Sequence, residues 1–157
     1  MPDIRRGLAS SPFDDEGVRT RRRAVVEDGV LRGYFLGSYS ARKLGMQTTG
    51  NAGGTHNLSV QPGELDFNGL LRSMQRGLLV TELLGHGVNP VTGDYSRGAA
   101  GFWVEHGEIQ YPVEEITIAG NLRDMYKHIV AVGNDVLVQG SRQCGSVLTE
   151  NMMVAGR

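Results

Sequence analysis

The sequence holds one cysteine, Cys144, among 157 residues. An internal disulfide framework is therefore excluded. Long apolar runs are missing too. The longest purely aliphatic stretch is Ile129–Val132, against the ~18 residues needed for a bilayer-spanning helix. The opening Met1-Pro2-Asp3-Ile4-Arg5-Arg6 carries charge but no apolar segment of the secretory kind. Together these features lead to the expectation of a cytoplasmic protein with no membrane partner. Charge of one sign is also scarce, since 16 Lys and Arg face 17 Asp and Glu. That balance excludes the strong basic excess of a simple nucleic-acid binder, so no direct nucleic-acid contact is expected.

Catalytic motifs are equally sparse. The four histidines, His56, His86, His106 and His128, form neither His-Glu-x-x-His nor any pair at helical spacing. His106-Gly107-Glu108 resembles the start of a zinc deaminase motif, but that motif also needs Pro-Cys-x-x-Cys, and the sequence has one cysteine. His106 reads instead as a hairpin-turn residue, and His128 as a partly buried helix residue. No Gly-x-Ser-x-Gly and no phosphate-binding Gly-x-x-x-x-Gly-Lys-Ser/Thr occur. Gly85-His86-Gly87 opens like a dinucleotide fingerprint but places Pro90 where the third glycine belongs. Cys144 could act as a nucleophile only beside a histidine brought in by the fold, and a lone cysteine is equally an inert one. No catalytic residues are assigned.

What the sequence has in quantity is glycine, 23 of 157 residues, about twice the ~7% average. Such abundance favours turns and short strands and disfavours a helical bundle. The length suits one domain. Residues 1–22 read as an irregular lead-in, and 23–157 as the domain proper. The Arg19-Thr20-Arg21-Arg22-Arg23 run reads as a solvated, charged edge strand.

Asp28-Gly29 between apolar runs predicts a type I′ hairpin joining 24–27 to 30–36. Ser38 is placed as the cap of a short helix to Leu44, with Gly45 closing it. A loop at 50–54 and a strand at 57–61 follow. Asp66 caps a second helix, 67–76, closed by Gly77. A buried strand at 78–84 precedes a long loop, 85–98. Strands at 99–105 and 108–111 turn around His106-Gly107, and 113–118 is a further strand. Asn121 caps a helix reaching 132, from Leu122, Met125, Tyr126, Ile129 and Val130 at helical spacing. Strands at 136–139 and 146–154 complete an α+β domain of mixed sheets, with many short strands and about three short helices.

The segment from Gly85 to Trp103 is the candidate binding region. Glycines at 85, 87, 93, 98 and 101 alternate with polar side chains and lead to the only tryptophan. Glycines let a backbone come close to a bound chain. Asn89, Asp94, Tyr95 and Ser96 suit contacts to an extended peptide, with Trp103 as anchor or core residue. The same residues would equally build ordinary turns.

This segment also carries a resemblance. The run from Gly77 through Gly85-His-Gly-Val-Asn-Pro-Val-Thr-Gly-Asp-Tyr-Ser-Arg-Gly98 to Ile109 resembles the carboxy-terminal domain of the TldD/PmbA family. Ser11-Pro-Phe-Asp-Asp-Glu-Gly17, Tyr39-Ser-Ala-Arg-Lys-Leu-Gly45, Pro112-Val-Glu-Glu-Ile-Thr-Ile-Ala-Gly-Asn-Leu122 and Cys144-Gly-Ser-Val-Leu148 agree. The pattern is closer to the PmbA (TldE) branch than to TldD. The resemblance implies a peptidase acting on unfolded peptides, with an amino-terminal family domain that this sequence does not contain. It implies zinc in a TldD-like partner, held by His-Glu-x-x-x-His and a cysteine. That motif is absent here, and Cys144, near the position of the zinc cysteine, cannot complete a tetrahedral shell alone. No cofactor or metal is therefore assigned to this chain, and a non-catalytic subunit domain is implied.

The expected partners are a TldD-like subunit or a second copy in a homodimer, and unfolded peptide. The family is also labelled a modulator of DNA gyrase, which a neutral charge gives no reason to read as DNA binding. The competing class is a peptide-binding or assembly module that acts without a peptidase. A cysteine-dependent enzyme centred on Cys144 is the third.

Overall fold

Two turns of this chain share one backbone geometry. Asp28 and Gly29 have φ of 51° and 73°, and His106 and Gly107 have φ of 54° and 74°. Consecutive positive φ values define the type I′ turn, whose twist matches that of paired strands. Both hairpins that the sequence predicts are present. The structure is a computed structural model that describes residues 1–156.

In chain order the first elements are β1 (Val26–Glu27), β2 (Val30–Leu31), α1 (Ser38–Lys43), β3 (Leu58–Ser59), α2 (Phe67–Met74) and β4 (Gly77–Leu84). Then come β5 (Asp94–Glu105), β6 (Glu108–Asn121), α3 (Leu122–Lys127), β7 (Ile129–Val132), β8 (Leu137–Gln139), β9 (Arg142–Cys144), β10 (Val147–Thr149) and β11 (Met153–Ala155). The fold is α+β. Its sheets are β1-β2, β10-β7, β11-β6-β5-β4 and β3-β9-β8, antiparallel except for the parallel pair β3 and β9. No described helix is long and apolar enough to cross a membrane. The chain divides into two compact units, Met1–Gln61 with Leu137–Cys144, and Pro62–Val136 with the segment from Gly145 onward.

In the first unit, the lead-in is organised by side-chain bonds to the main chain. Asp14 is buried and accepts from the N–H groups of Glu16, Val18 and Ala52 at 2.9–3.0 Å. The cap of α1 differs from expectation. Gly37 is the cap residue and Ser38 is already helical. The Ser38 N–H donates instead to the Glu16 carboxylate at 2.7 Å, a charge-assisted bond at the positive end of the helix. The far end follows the prediction: Gly45 donates to Arg42 O and Met46 to Ala41 O, with Gly45 at φ 64°. This is a Schellman closure. The arginine run forms no edge strand. Arg19 makes only an isolated bridge to Phe13, and Arg23 lies over the Phe35 ring and donates to Tyr34 O. Its stem and head are held by partners rather than solvated.

In the second unit, Asp66 caps α2 by accepting from Gly69 N at 2.6 Å. The helix ends at Met74, earlier than expected, because Gln75 takes the positive φ (59°) that Gly77 was expected to supply. Gly77 is instead the first residue of β4. The strands β5 and β6 form a long hairpin. Where separate strands 108–111 and 113–118 were expected, β6 runs unbroken through Pro112. Proline is tolerated there because β11 pairs only with Thr117–Ala119, leaving that edge of β6 uncovered at Pro112. The register slips opposite Ala100, where Glu115 has φ 55°, a bulge that re-aims the strand.

The predicted helix 121–132 is half helix. Asn121 does cap it, accepting from Arg123 N at 3.1 Å, but α3 stops at Lys127. Ile129–Val132 is a strand paired with β10, as its β-branched residues favour. His128 consequently caps the helix end, exposed, with its ring against Asp124 O at 2.8 Å. The expected strand 146–154 is split into β10 and β11. The short polar strand β9 had no counterpart in the prediction.

Candidate functional site

The candidate region folds as the outer part of the β4–β5 hairpin. The expected loop 85–98 is shorter, because β5 begins at Asp94 and already contains Tyr95 and Ser96. Beyond the last ladder pair, Leu84 with Gly98, the two arms stay together. Ser96 donates to Gly87 O at 2.7 Å, Val88 bridges Tyr95, and Asn89 N donates to Asp94 O at 2.8 Å. Gly87 is needed for this approach, since a Cβ there would stand 1.5 Å from Ser96 O.

The turn itself is closed by side chains. Asn89 Oδ1 accepts from Val91 N at 2.9 Å and Thr92 N at 3.3 Å. Thr92 Oγ1 donates to Asp94 Oδ2 at 2.7 Å. Asn121 Nδ2 donates to Thr92 O at 3.1 Å, and Leu122 N to Gly93 O at 2.7 Å, which tie the turn to the start of α3. Asn89 Oδ1 and the Asp94 carboxylate are thus engaged in the turn.

Tyr95 and Ser96 follow on opposite faces of β5. Tyr95 packs against the apolar cluster of Ala99, Ile116 and Ile118, while Ser96 is exposed. Trp103 sits eight residues further along the strand, ~26 Å away at ~3.3 Å per residue. Its Nε1 donates to Glu105 Oε1 at 3.1 Å, and Arg76 lies over its ring. The fold therefore brings Asn89, Asp94, Tyr95 and Ser96 together and leaves Trp103 apart.

Three carboxylates are held below their ordinary values, none of them in this hairpin. Burial works to raise Asp14, but the N–H groups of Ala52, Val18 and Glu16 outweigh it. Glu16 is lowered by its hydrogen bonds from Ser38. Asp135 is lowered chiefly by the Ser146 hydroxyl, 2.6 Å from its Oδ2. Sequence reading missed all three, because their partners are main-chain or hydroxyl groups with no spacing rule to betray them.

Cys144 lies half-buried in β9. The residues here do not fit a zinc ion: among the described residues, no three His, Cys, Asp or Glu side chains converge as a metal site would require.

Comparison with known proteins supplies what geometry leaves open. Residues 1–156 match the PmbA/TldA metallopeptidase C-terminal domain. The chain is 60% identical to the metalloprotease PmbA of Escherichia coli O157:H7 over 156 residues, 99% of this chain and 35% of that protein. A crystal structure from Thermotoga maritima, named for modulation of a DNA gyrase, aligns with a TM-score of 0.89 at 46% identity. It covers 99% of this chain and 38% of that one. The structure of TldE from Thermococcus kodakarensis aligns with a TM-score of 0.81 at 27% identity, covering 94% and 36%. The chain spans about a third of the length of the curated relatives it matches. It belongs to the PmbA/TldA metallopeptidase family, and corresponds to the carboxy-terminal domain of its members.

Proposed function

We propose that this chain serves a PmbA (TldE)-type subunit without a zinc centre of its own, which pairs with a zinc-bearing TldD-like chain in the cytoplasm and helps hold unfolded peptide for hydrolysis there. The observation that carries the reading is the match to PmbA at 60% identity across 99% of the chain. It occurs in a sequence without His-Glu-x-x-x-His. The likeness to TldE agrees.

The physical basis is a free sheet edge. In the order β11-β6-β5-β4, β4 is a terminal strand of eight residues. It carries one charged side chain, Glu82, beside a single register shift between Val80 and Glu82, so the stretches on either side remain open to pairing. An extended peptide can add there by main-chain hydrogen bonds. The hairpin of Asn89, Asp94, Tyr95 and Ser96 continues directly from that edge and fixes where it stops.

The test is a complex reconstituted with a TldD-like chain. Asn89→Ala and Asp94→Ala should open the turn and lower peptide turnover several-fold while the two chains still co-purify. Unchanged turnover together with a lowered melting temperature would make the hairpin scaffolding. Failure of the chains to co-purify would favour a binding module acting without a peptidase.

A further inference from the structure

Side chains alternate along β5, so Tyr95, Arg97, Ala99, Gly101 and Trp103 share one face. Ala99 on this face is fully buried with Ile116 and Ile118, and Leu78, Val80, Val113 and Met152 pack around them. Arg97 is the exception. It stands opposite Ile118 on the same apolar face, half-buried, as a permanent cation.

A half-buried guanidinium ordinarily meets a carboxylate. Among the described residues, the ion pairs engage Arg32, Arg72 and Arg76. The acids nearest along the two strands are on the other face: Glu82 pairs with Ala100, and Asp94 is three positions from Arg97. What Arg97 does touch is the end of β4. Its Nε donates to Leu84 O at 3.5 Å and one terminal nitrogen donates to Leu83 O at 3.2 Å. Both distances lie at or beyond the long limit of ~2.7–3.2 Å for such bonds. Of five N–H donors, three make neither of these contacts.

The surroundings are open. Just past the last ladder pair, Leu84 with Gly98, the chain passes through Gly85 at φ 75°, where an added Cβ would meet nothing within 4 Å. Leu83 and Leu84 are 40% and 49% exposed. One incompletely satisfied cation thus sits on the same face as the exposed Leu83, which pairs with Ala99, where β4 ends.

From this we infer that Arg97 is a carboxylate-recognition residue. It receives an acidic group of the peptide laid along β4, either the peptide's own terminal carboxylate or an Asp or Glu side chain. The inference rests on the peptide-holding reading above and adds a specificity to it. A carboxylate would accept two parallel N–H bonds from the fork, while Leu83, on the same face, contacts the adjoining aliphatic part.

Two measurements on the full chain test it. In the first, the Arg97 Nε–Hε resonance, identified by its loss in Arg97→Lys, is followed during titration with sodium acetate or acetamide. Acetate should shift it saturably, and acetamide should leave it unmoved. Equal responses, or none, overturn the inference whatever happens to peptides. In the second, fluorescent unstructured peptides are compared in pairs: free against amidated carboxy terminus, and internal Glu against Gln.

The pair that matters should show about tenfold preference for the acid, and its identity tells the two sources apart. Arg97→Gln should erase that preference, bringing the acidic and neutral members of the pair to equal affinity, with Arg97→Lys in between. Binding of all peptides alike by every variant overturns the carboxylate role and keeps peptide capture. Absence of binding by any peptide, with the acetate shift present, overturns peptide capture.

Discussion

Residues 1–61 with 137–144 bury Asp14, Thr20 and Asn57 beside three apolar residues, Pro2, Leu36 and Ala41. The other unit buries Leu70, Leu71, Ala99, Val104, Ile116 and Ile118. The first is held by hydrogen bonds that fix directions, the second by volume that must be filled. The first unit does not lack large apolar side chains, but Phe13, Leu31, Tyr34, Phe35 and Leu44 among them are exposed rather than gathered into a core. A polar interior works only where every group finds a partner. Asp14 shows the arrangement, with three N–H donors on one carboxylate. Asn57 is similar, accepting from Ala9 N at 3.2 Å and donating to Ser10 Oγ at 2.7 Å.

The two matching turns should show the largest difference between the units. Gly29 and Gly107 share a backbone conformation, so alanine at either should cost about 1–2 kcal/mol of left-handed strain. Gly107 alone has a close neighbour: its added Cβ would stand 2.9 Å from Arg72 Cα in α2, whereas one at Gly29 would meet nothing within 4 Å. Gly107→Ala should therefore lose about 3 kcal/mol or more. Gly29→Ala should stay near the strain alone. Denaturant melts of both variants decide it, and equal losses would mean that the packing of the turn on α2 contributes nothing.

Next in size is Val104, fully buried in the second unit. Removing its two methyl groups with Val104→Ala should cost about 2 kcal/mol. Val30→Ala, at a position 49% exposed, should change stability by less than about 0.5 kcal/mol. A smaller effect is expected at the α2 cap. Asp66→Ala should lose about 1 kcal/mol, and Asp66→Asn should restore most of it.

The mildest expectation at neutral pH separates the units by acid. The lowered carboxyls of Asp14 and Glu16 contribute stability that is present above their unfolded values of 3.8 and 4.5. That contribution is lost as pH falls through the still lower folded values. Amide exchange at Glu16, Val18 and Ala52 should therefore quicken below pH 4 before exchange at Ala99 does. Asp135 is the second unit's one counterpart, and only Ser146 should respond there. Simultaneous loosening of Val18 and Ala99 would remove the distinction.

The same contrast explains what was legible in the sequence. The cap at Asp66 and both type I′ turns carry local signals that packing then respects. The strand 78–84 is present too, but as a terminal strand exposed from Thr81 to Leu84 rather than the buried one expected, because no further strand covers that edge. The run Ile129–Val132 misled because its spacing continues the helical stripe of Leu122, Met125 and Tyr126, and only its β-branching points to a strand. Tyr95 and Ser96 were assigned to a loop because the surrounding glycines read as turns, although two of them, Gly98 and Gly101, are needed inside β5. At Gly101 a Cβ would lie 1.9 Å from Leu79 O. The polar interior around Asp14 left no pattern at all, since its acceptors bind main-chain groups that every sequence supplies. In the candidate site, the hairpin's residues were legible as a group. Arg97 was not singled out, because an arginine lacking a counter-ion is visible only once its neighbours across the sheet are known.

The parallel pairing of β3 with β9 has a consequence in time. Leu58 N donates to Ser141 O and Val60 N to Gln143 O, both at 2.8 Å, so β3 closes on a segment about eighty residues further along the chain. During synthesis at ~5–20 residues per second, β3 waits roughly 4–16 s for that segment to emerge. The entire second-unit stretch from Pro62 to Val136 is made in between. Pairing of such separation is slow even in a finished chain. Pulse-labelled exchange during refolding should accordingly protect the amides of Leu58 and Val60 later than that of Ala99, and the first unit remains open to proteases and chaperones until its last strands arrive.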